Sequence, residues 1–156
     1  MISETSAKSR TIAESKIIHK SPILHPLARF VTEETVALLF NIAVDDIYRI
    51  ECCRYMVYVH AKGISRFVSY ADFPPIVGVN AIALQDFGRW YKRCKSKLAP
   101  LFWTKFYTHK FKDAVSVDRL LEWGLLVAKV KSAMSGAALQ LLRDVYAAEK
   151  DLMENF

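Results

Sequence analysis

Residues 31–73 constrain the fold more than any other stretch, because their local signals follow one another in a definite order. Thr32 is followed by two glutamates, and this pattern predicts a helix N-cap, since negative charge stabilises the first turn of a helix. Apolar residues from Val36 to Phe40 recur at three- and four-residue spacing, as on one face of a helix. Asn41 tolerates the left-handed conformation that ends many helices. The sequence therefore predicts a short amphipathic helix that ends at about Asn41.

Residues 44–52 follow a three-residue turn and give a less uniform pattern. Val44, Ile47 and Ile50 recur every three residues, which predicts a second short helix. The same run also contains alternating positions, so the beginning of a strand is the alternative.

A β-hairpin is predicted next. Residues 54–60 are rich in β-branched and aromatic side chains, and residues 64–70 form a second run of that kind. Gly63 lies between them and can adopt the positive φ that tight turns require. Pro74 and Pro75 end the second strand, since proline cannot continue a strand ladder.

The remainder of the chain has helical periodicity. A helix is predicted from residue 79 until Pro100 breaks it, and residues 101–112 form another helix or an irregular aromatic segment. Residues 113–116 are a linker that ends in the candidate N-cap Ser116. Two helices follow, the second starting at about Ser132. The predicted inward face of the first comprises Val117, Leu120, Leu121, Gly124, Leu125 and Ala128. The predicted inward face of the second comprises Met134, Ala138, Leu141, Val145 and Leu152.

These elements predict an α+β fold that is mainly helical. Short helices and one antiparallel β-hairpin precede a helical bundle of about three to four helices. Residues 1–22 are polar and without periodicity, which predicts a mobile arm. Residues 23–156 are predicted to form a single compact domain, with a helix and hairpin subunit at 27–75 and a helical subunit at 79–153.

The positive charge is concentrated in one part of the chain. Residues 61–112 carry ten basic and two acidic side chains, a net charge of +8 that exceeds the +6 of the whole chain, while residues 26–60 carry a net −2. An anionic partner would meet the middle third first.

The cellular location is predicted from what the chain contains. No run approaches the roughly 18 apolar residues of a membrane span, and the first 20 residues lack the apolar segment of a secretory signal. The chain has three cysteines, Cys52, Cys53 and Cys94. Their odd number argues against a disulfide framework, and their spacing is not that of metal ligands. We expect reduced, mostly buried thiols in a cytoplasmic protein.

Three motifs within residues 31–73 give this part of the chain a resemblance to a known family. The order T-x-E-x-V-A-L-L, a short turn, D-D-I-Y-R, and a hairpin closing with R-F-x-S-x-x-D-F resembles the excisionase and MerR-type winged helix-turn-helix over residues 31–73. This resemblance implies a recognition helix that carries Tyr48 and Arg49, and a wing that carries Lys62 and Arg66. It implies a role in DNA binding.

A second candidate surface lies at residues 89–112. This segment contains eight Lys or Arg side chains, no acidic residue and seven aromatic residues. Basic groups follow phosphates and aromatic faces can stack on bases, which predicts a nucleic-acid surface. An amphipathic helix with buried rings and a solvated basic face is one alternative, and a contact surface for a membrane or a protein groove is another. The candidate cations are Arg89, Lys92, Arg93, Lys97, Lys105, Lys110 and Lys112.

Catalytic signals are weak. The four histidines are scattered, no zinc-binding or glycine-rich phosphate motif occurs, and a set of Cys94, His109 and Asp113 has no supporting spacing. Asp45 and Asp46 are better explained as stabilising a helix N-terminus than as metal ligands. No cofactor, metal or catalytic residue is predicted.

The sequence predicts a small non-enzymatic regulatory or accessory protein that contacts nucleic acid. A protein–protein interaction module or complex subunit is the alternative.

Overall fold

The computed structural model describes residues 15–78, 86, 89–90 and 101–155. The fold is α+β, with four α-helices and one four-stranded mixed sheet in that part of the chain. Two compact units are present. We call them the sheet unit, made of residues 15–25 and Thr32–Val68, and the helical unit, made of Pro26–Val31 and the residues from Ser69 onward.

Helix α1, Glu33–Phe40, confirms the first predicted element of the sheet unit. The Thr32 side chain accepts a hydrogen bond from the Thr35 backbone N–H at 3.0 Å, which satisfies one of the unpaired N–H groups of the first turn. Asn41 ends the helix in the left-handed region, at φ 57° and ψ 50°. Both ends of α1 are therefore set by the residues that the sequence indicated.

The sheet has four strands rather than the two of the predicted hairpin. The strands are β1 (Ile17–His19), β2 (Ile47–Cys52), β3 (Met56–Ala61) and β4 (Ile64–Ser69), and they lie in that order across the sheet. Strand β2 pairs parallel with β1 and antiparallel with β3. The tight turn between β3 and β4 is confirmed, with Gly63 at φ 73°.

Of the two possibilities at 44–52, the helix is wrong and the beginning of a strand is confirmed. A single 3₁₀ turn, Val44–Asp46, leads into strand β2. A register shift between Ile47 and Arg49 inserts an extra residue on β2, so that Ile47 and Ile50 both face the core although they are three positions apart. Their helix-like spacing therefore comes from a β-bulge.

Strand β1 lies within the predicted mobile arm. Its pairing is extended by backbone hydrogen bonds from Ile50 N–H to the Lys16 carbonyl at 2.9 Å and from Lys20 N–H to the Cys52 carbonyl at 3.0 Å. The Lys16 N–H also donates to the Glu33 carboxylate at 3.0 Å. These bonds satisfy backbone groups that no local sequence pattern would have paired.

Three helices of the helical unit pack against one another: α2 (Leu101–Asp113), α3 (Val117–Lys129) and α4 (Gly136–Glu154). The helical alternative for 101–112 and the N-cap Ser116 are both confirmed. The last helix begins later than predicted, because Ser135 is its N-cap and a 3₁₀ turn precedes it. None of the helices in the described ranges has both the length and the apolar character needed to cross a membrane.

Aromatic side chains make the core of the helical unit. The Trp90 and Trp103 rings meet edge to face at 5.3 Å, and Trp103 Nε1 donates to the Asp72 carbonyl at 3.2 Å. The Tyr107 hydroxyl donates to the Pro75 carbonyl at 2.8 Å. Its burial raises the pKa of this hydroxyl well above the usual 10.0. These bonds hold the segment after β4 against α2.

One buried carboxylate of this unit makes ion pairs with two arginines. The Asp86 side chain is 1% exposed and pairs with Arg29 and, at 3.1 Å, with Arg89. The Arg29 guanidinium also lies 4.2 Å from the centroid of the Phe30 ring. These contacts join Arg29 of the 3₁₀ segment Pro26–Phe30 to the described helical residues Asp86 and Arg89.

The inward faces of α3 and α4 differ from those predicted. Helix α3 buries Leu120, Trp123 and Val127, whereas Leu121 and Leu125 are 46% and 56% exposed. On α4, Leu142 is buried, and Leu141 and Leu152, which were predicted to face inward, are exposed. The apolar stripe of α3 is wider than one buried face requires, so part of it reaches solvent.

Candidate functional site

One face of the sheet carries a run of exposed aromatic and apolar side chains. The backbone alternates, so Val57 and Val59 of β3 point into the core while Tyr58 points the other way. Phe67 is 61% exposed and Tyr48 is 56% exposed. We define the sheet face by Ile18, Tyr48, Arg49, Glu51, Met56, Tyr58, His60 and Phe67.

The rings on the sheet face lie in two pairs. Tyr48 and His60 meet edge to face with centroids 5.1 Å apart. Tyr58 and Phe67 lie 5.0 Å apart with a tilt of 58° between their planes. The Tyr58 hydroxyl is also hydrogen-bonded to the Ser65 hydroxyl. Pairs of this kind hold each ring in position.

The charged groups of the sheet face balance each other. Arg49 Nε lies 2.5 Å from a Glu51 carboxylate oxygen, on the same strand. Cross-strand pairing places Arg49 opposite His60 and Glu51 opposite Tyr58. Beyond the end of β2, the Arg54 guanidinium lies 5.3 Å from the exposed ring of Tyr55. The face is thus aromatic and apolar, with one internal ion pair.

Four of the predicted site residues belong to the sheet unit. Tyr48 and Arg49 lie on strand β2, where the resemblance placed a recognition helix. Lys62 lies in the exposed turn between β3 and β4. Arg66 is on β4, with its guanidinium 5.6 Å from the centroid of the Phe40 ring of α1. Only Tyr48 and Arg49 therefore contribute to the sheet face.

Four other predicted residues belong to the helical unit. Arg89 is paired with Asp86. The ammonium of Lys110 lies 5.5 Å from the Phe106 ring and 5.4 Å from the Trp123 ring. Lys105 and Lys112 are exposed on α2, above the buried rings of that helix. Lys92, Arg93 and Lys97 lie outside the described residues.

The sequence held a signal for the side chains that prediction missed. Within the two predicted strands, positions 56, 58 and 60 alternate with the valines at 57 and 59, and position 67 precedes the buried Val68. Strand alternation alone therefore places Tyr58 and Phe67 away from the core. Ile18 is different, since it joins the face only through the pairing of β1 with β2.

A scan against protein-family models and searches of curated proteins and of solved structures found no match to this chain.

Proposed function

We propose that this chain is a non-enzymatic interaction module that binds a partner protein through the sheet face. The observation that carries the proposal is that the exposed ring of Phe67 packs on the half-buried ring of Tyr58, beside a second pair in which the exposed ring of Tyr48 meets the half-buried ring of His60. Aromatic residues, methionine and arginine are the residue types enriched in protein interfaces. Rings already held in place lose little side-chain freedom when they bind.

The charge of the sheet face favours a protein over a nucleic acid. A nucleic acid is held by several cations that neutralise phosphates. Arg49 is instead engaged with Glu51, and a carboxylate in the middle of the face would repel a phosphate backbone. A mixed pair of charges within an apolar surface suits a protein partner, which offers both signs.

Nucleic-acid contact is the second candidate, and it rests on α2. Lys105 and Lys112 are exposed above the buried rings of Trp103, Phe106 and Tyr107. This arrangement supports a polyanion contact, because the rings belong to the core and the outer surface is basic. The binding would depend steeply on salt concentration.

A cytoplasmic location belongs to the same proposal. Cys52 is buried in the core of the sheet unit, and Cys53 is half-buried beside it with its sulfur 3.7 Å from the Glu51 carbonyl oxygen. Packing of this kind suits cysteines that act as small apolar residues.

Photocrosslinking distinguishes the two candidates. The photoreactive analogue p-benzoylphenylalanine replaces Phe67 in the full chain in the source cells, and a control chain carries it at the exposed Leu101 of α2. We expect a nuclease-resistant protein adduct at position 67, and we expect its yield to fall when Tyr48→Ser is added. The absence of a protein adduct at position 67 would overturn the proposal, and nuclease-sensitive adducts at position 101, on the helix that carries Lys105 and Lys112, would establish the second candidate in its place.

A further inference from the structure

An apolar groove of about 380 Å³ runs between α3 and α4 in the helical unit. A volume of this size lies within the range of small-molecule pockets, about 300 to 1,000 Å³. Phe111 of α2 lies among its lining residues. The apolar walls comprise Leu121, Leu125, Ala128, Leu139, Leu142 and Tyr146.

Gly124 shapes the wall on the α3 side. A Cβ atom at this position would lie 2.6 Å from Cε2 of Tyr146, which is closer than two non-bonded carbon atoms approach in proteins. The missing side chain therefore lets the Tyr146 ring lie directly against α3. The same ring meets Phe111 edge to face at 5.5 Å. The groove is thus bounded by a ring that is held from two sides.

The charge around the groove has one sign. Lys131 and Arg143 line it, and no acidic residue is among its lining residues. Both cations are exposed, and among the described residues neither is in an ion pair. An apolar groove with two cations beside it complements a ligand that has a hydrocarbon part and an anionic end.

We propose that the α3–α4 groove binds an amphipathic anion, an unbranched aliphatic chain that ends in a carboxylate or a similar oxyanion. The chain lies against Leu121, Leu125 and Tyr146, whose apolar surface would otherwise face water. Lys131 and Arg143 bind the anionic end, the guanidinium by paired N–H donors. This site is independent of the sheet face and of its partner.

Saturated fatty acids are the probes, used with the full chain below their micelle concentrations. Octanoate, decanoate and dodecanoate are titrated by calorimetry, and dodecyltrimethylammonium provides the same tail with a positive end. Burial of each methylene is expected to strengthen binding about fourfold. The ammonium compound is expected to bind at least about tenfold more weakly than dodecanoate, because its charge meets Lys131 and Arg143.

Variants separate specific binding from adsorption. Arg143→Gln should weaken dodecanoate binding about three- to tenfold, and the matched exposed lysine variant Lys129→Gln, outside the groove, should leave it unchanged. Ala128→Phe should fill the groove and abolish binding, with circular dichroism to check that it folds. Methyl NMR signals of Leu121 and Leu125 should shift on titration. Equal binding of the ammonium compound, equal effects of the two Gln variants, or unshifted methyl signals would each overturn the proposal.

Discussion

The rings of Tyr58 and Phe67 pack against each other across neighbouring strands, with their centroids 5.0 Å apart. Val59 and Val68, the residues that follow them, are both buried. The same alternation that fills the core with valines thus places both rings on the opposite face, with Phe67 exposed and Tyr58 half-buried. The core and the candidate interaction surface are two faces of the same strands.

Removal of a ring from the sheet face should affect binding much more than folding. Phe67→Ser removes an exposed side chain and one cross-strand ring contact, so we expect the free energy of unfolding to fall by less than about 1 kcal/mol. Val59→Ala is the contrasting variant on the core side, and it should cost about 2 kcal/mol because it opens a cavity. Urea unfolding followed by circular dichroism measures both. A loss of several kcal/mol for Phe67→Ser would mean that the ring is structural.

The sequence was most informative where one residue determines the local backbone. Thr32, Asn41, Gly63 and Ser116 each mark an end or a turn, and each does so in the structure. Prediction failed at β2, because the bulge puts Ile47 and Ile50 on one face at a spacing typical of a helix. Bulges depend on the pairing of strands, and a single strand's sequence does not encode that pairing.

The buried carboxylate of Asp86 should be important for stability. Removal of one member of a buried ion pair costs about 3–5 kcal/mol. Because the Arg29 side chain remains 20% exposed, water can partly replace the lost partner, and we expect about 2 kcal/mol for Asp86→Ala. Thermal and urea unfolding provide the measurement. Arg119→Ala, which breaks the exposed pair with Glu122, is the control and should cost less than about 0.5 kcal/mol; similar costs for both variants would contradict the assigned burial.

Alkaline pH should destabilise the helical unit through Tyr107. Burial raises the pKa of this hydroxyl in the folded chain, whereas the unfolded chain keeps the ordinary pKa of 10.0. Below pH 10.0 the hydroxyl is protonated in both states, so the free energy of unfolding does not depend on its titration there. Above that pH the unfolded chain loses the proton and the folded chain keeps it, which lowers the free energy of unfolding.

Tyr107→Phe isolates this effect. At neutral pH the variant should be about 1 kcal/mol less stable than the wild type, because the hydrogen bond to the Pro75 carbonyl is lost. The difference should narrow above pH 10.0, since the variant has no proton to lose at this position. Urea unfolding over the alkaline range is the test. A difference that stays constant with pH would show that Tyr107 ionises equally in both states.

The contact between Gly124 and Tyr146 predicts that Gly124→Ala lowers the free energy of unfolding in the wild type and raises it when the Tyr146 ring is absent. Alanine usually stabilises a helix by about 1 kcal/mol relative to glycine, but at position 124 its Cβ would overlap the Tyr146 ring. Overpacking costs about 1–3 kcal/mol, so Gly124→Ala should destabilise the wild type. In a Tyr146→Ala background the same substitution should stabilise the chain by about 1 kcal/mol. A double-mutant cycle by urea unfolding tests this, and identical signs in the two backgrounds would refute the contact.

The remaining errors of prediction concern which side of an element is covered. Leu121 and Leu125 follow helical spacing as well as Leu120 does, yet only Leu120 is buried. The position of a neighbouring helix decides this, and it is not encoded in the period of one helix. Ile18 is a similar case, since only the parallel pairing of β1 with β2 brings it to the sheet face.

The central claim is that the sheet face binds a protein, and its most direct test is a measurement of binding affinity for three variants of the chain. The protein that crosslinks at position 67 is purified and titrated calorimetrically against the wild type, Phe67→Ser and Val115→Ser, an exposed apolar control in the helical unit. A central aromatic contact is worth about 2 kcal/mol or more, so Phe67→Ser should weaken binding by about 30-fold or more while Val115→Ser leaves it within about twofold. Equal dissociation constants for all three chains would contradict the claim.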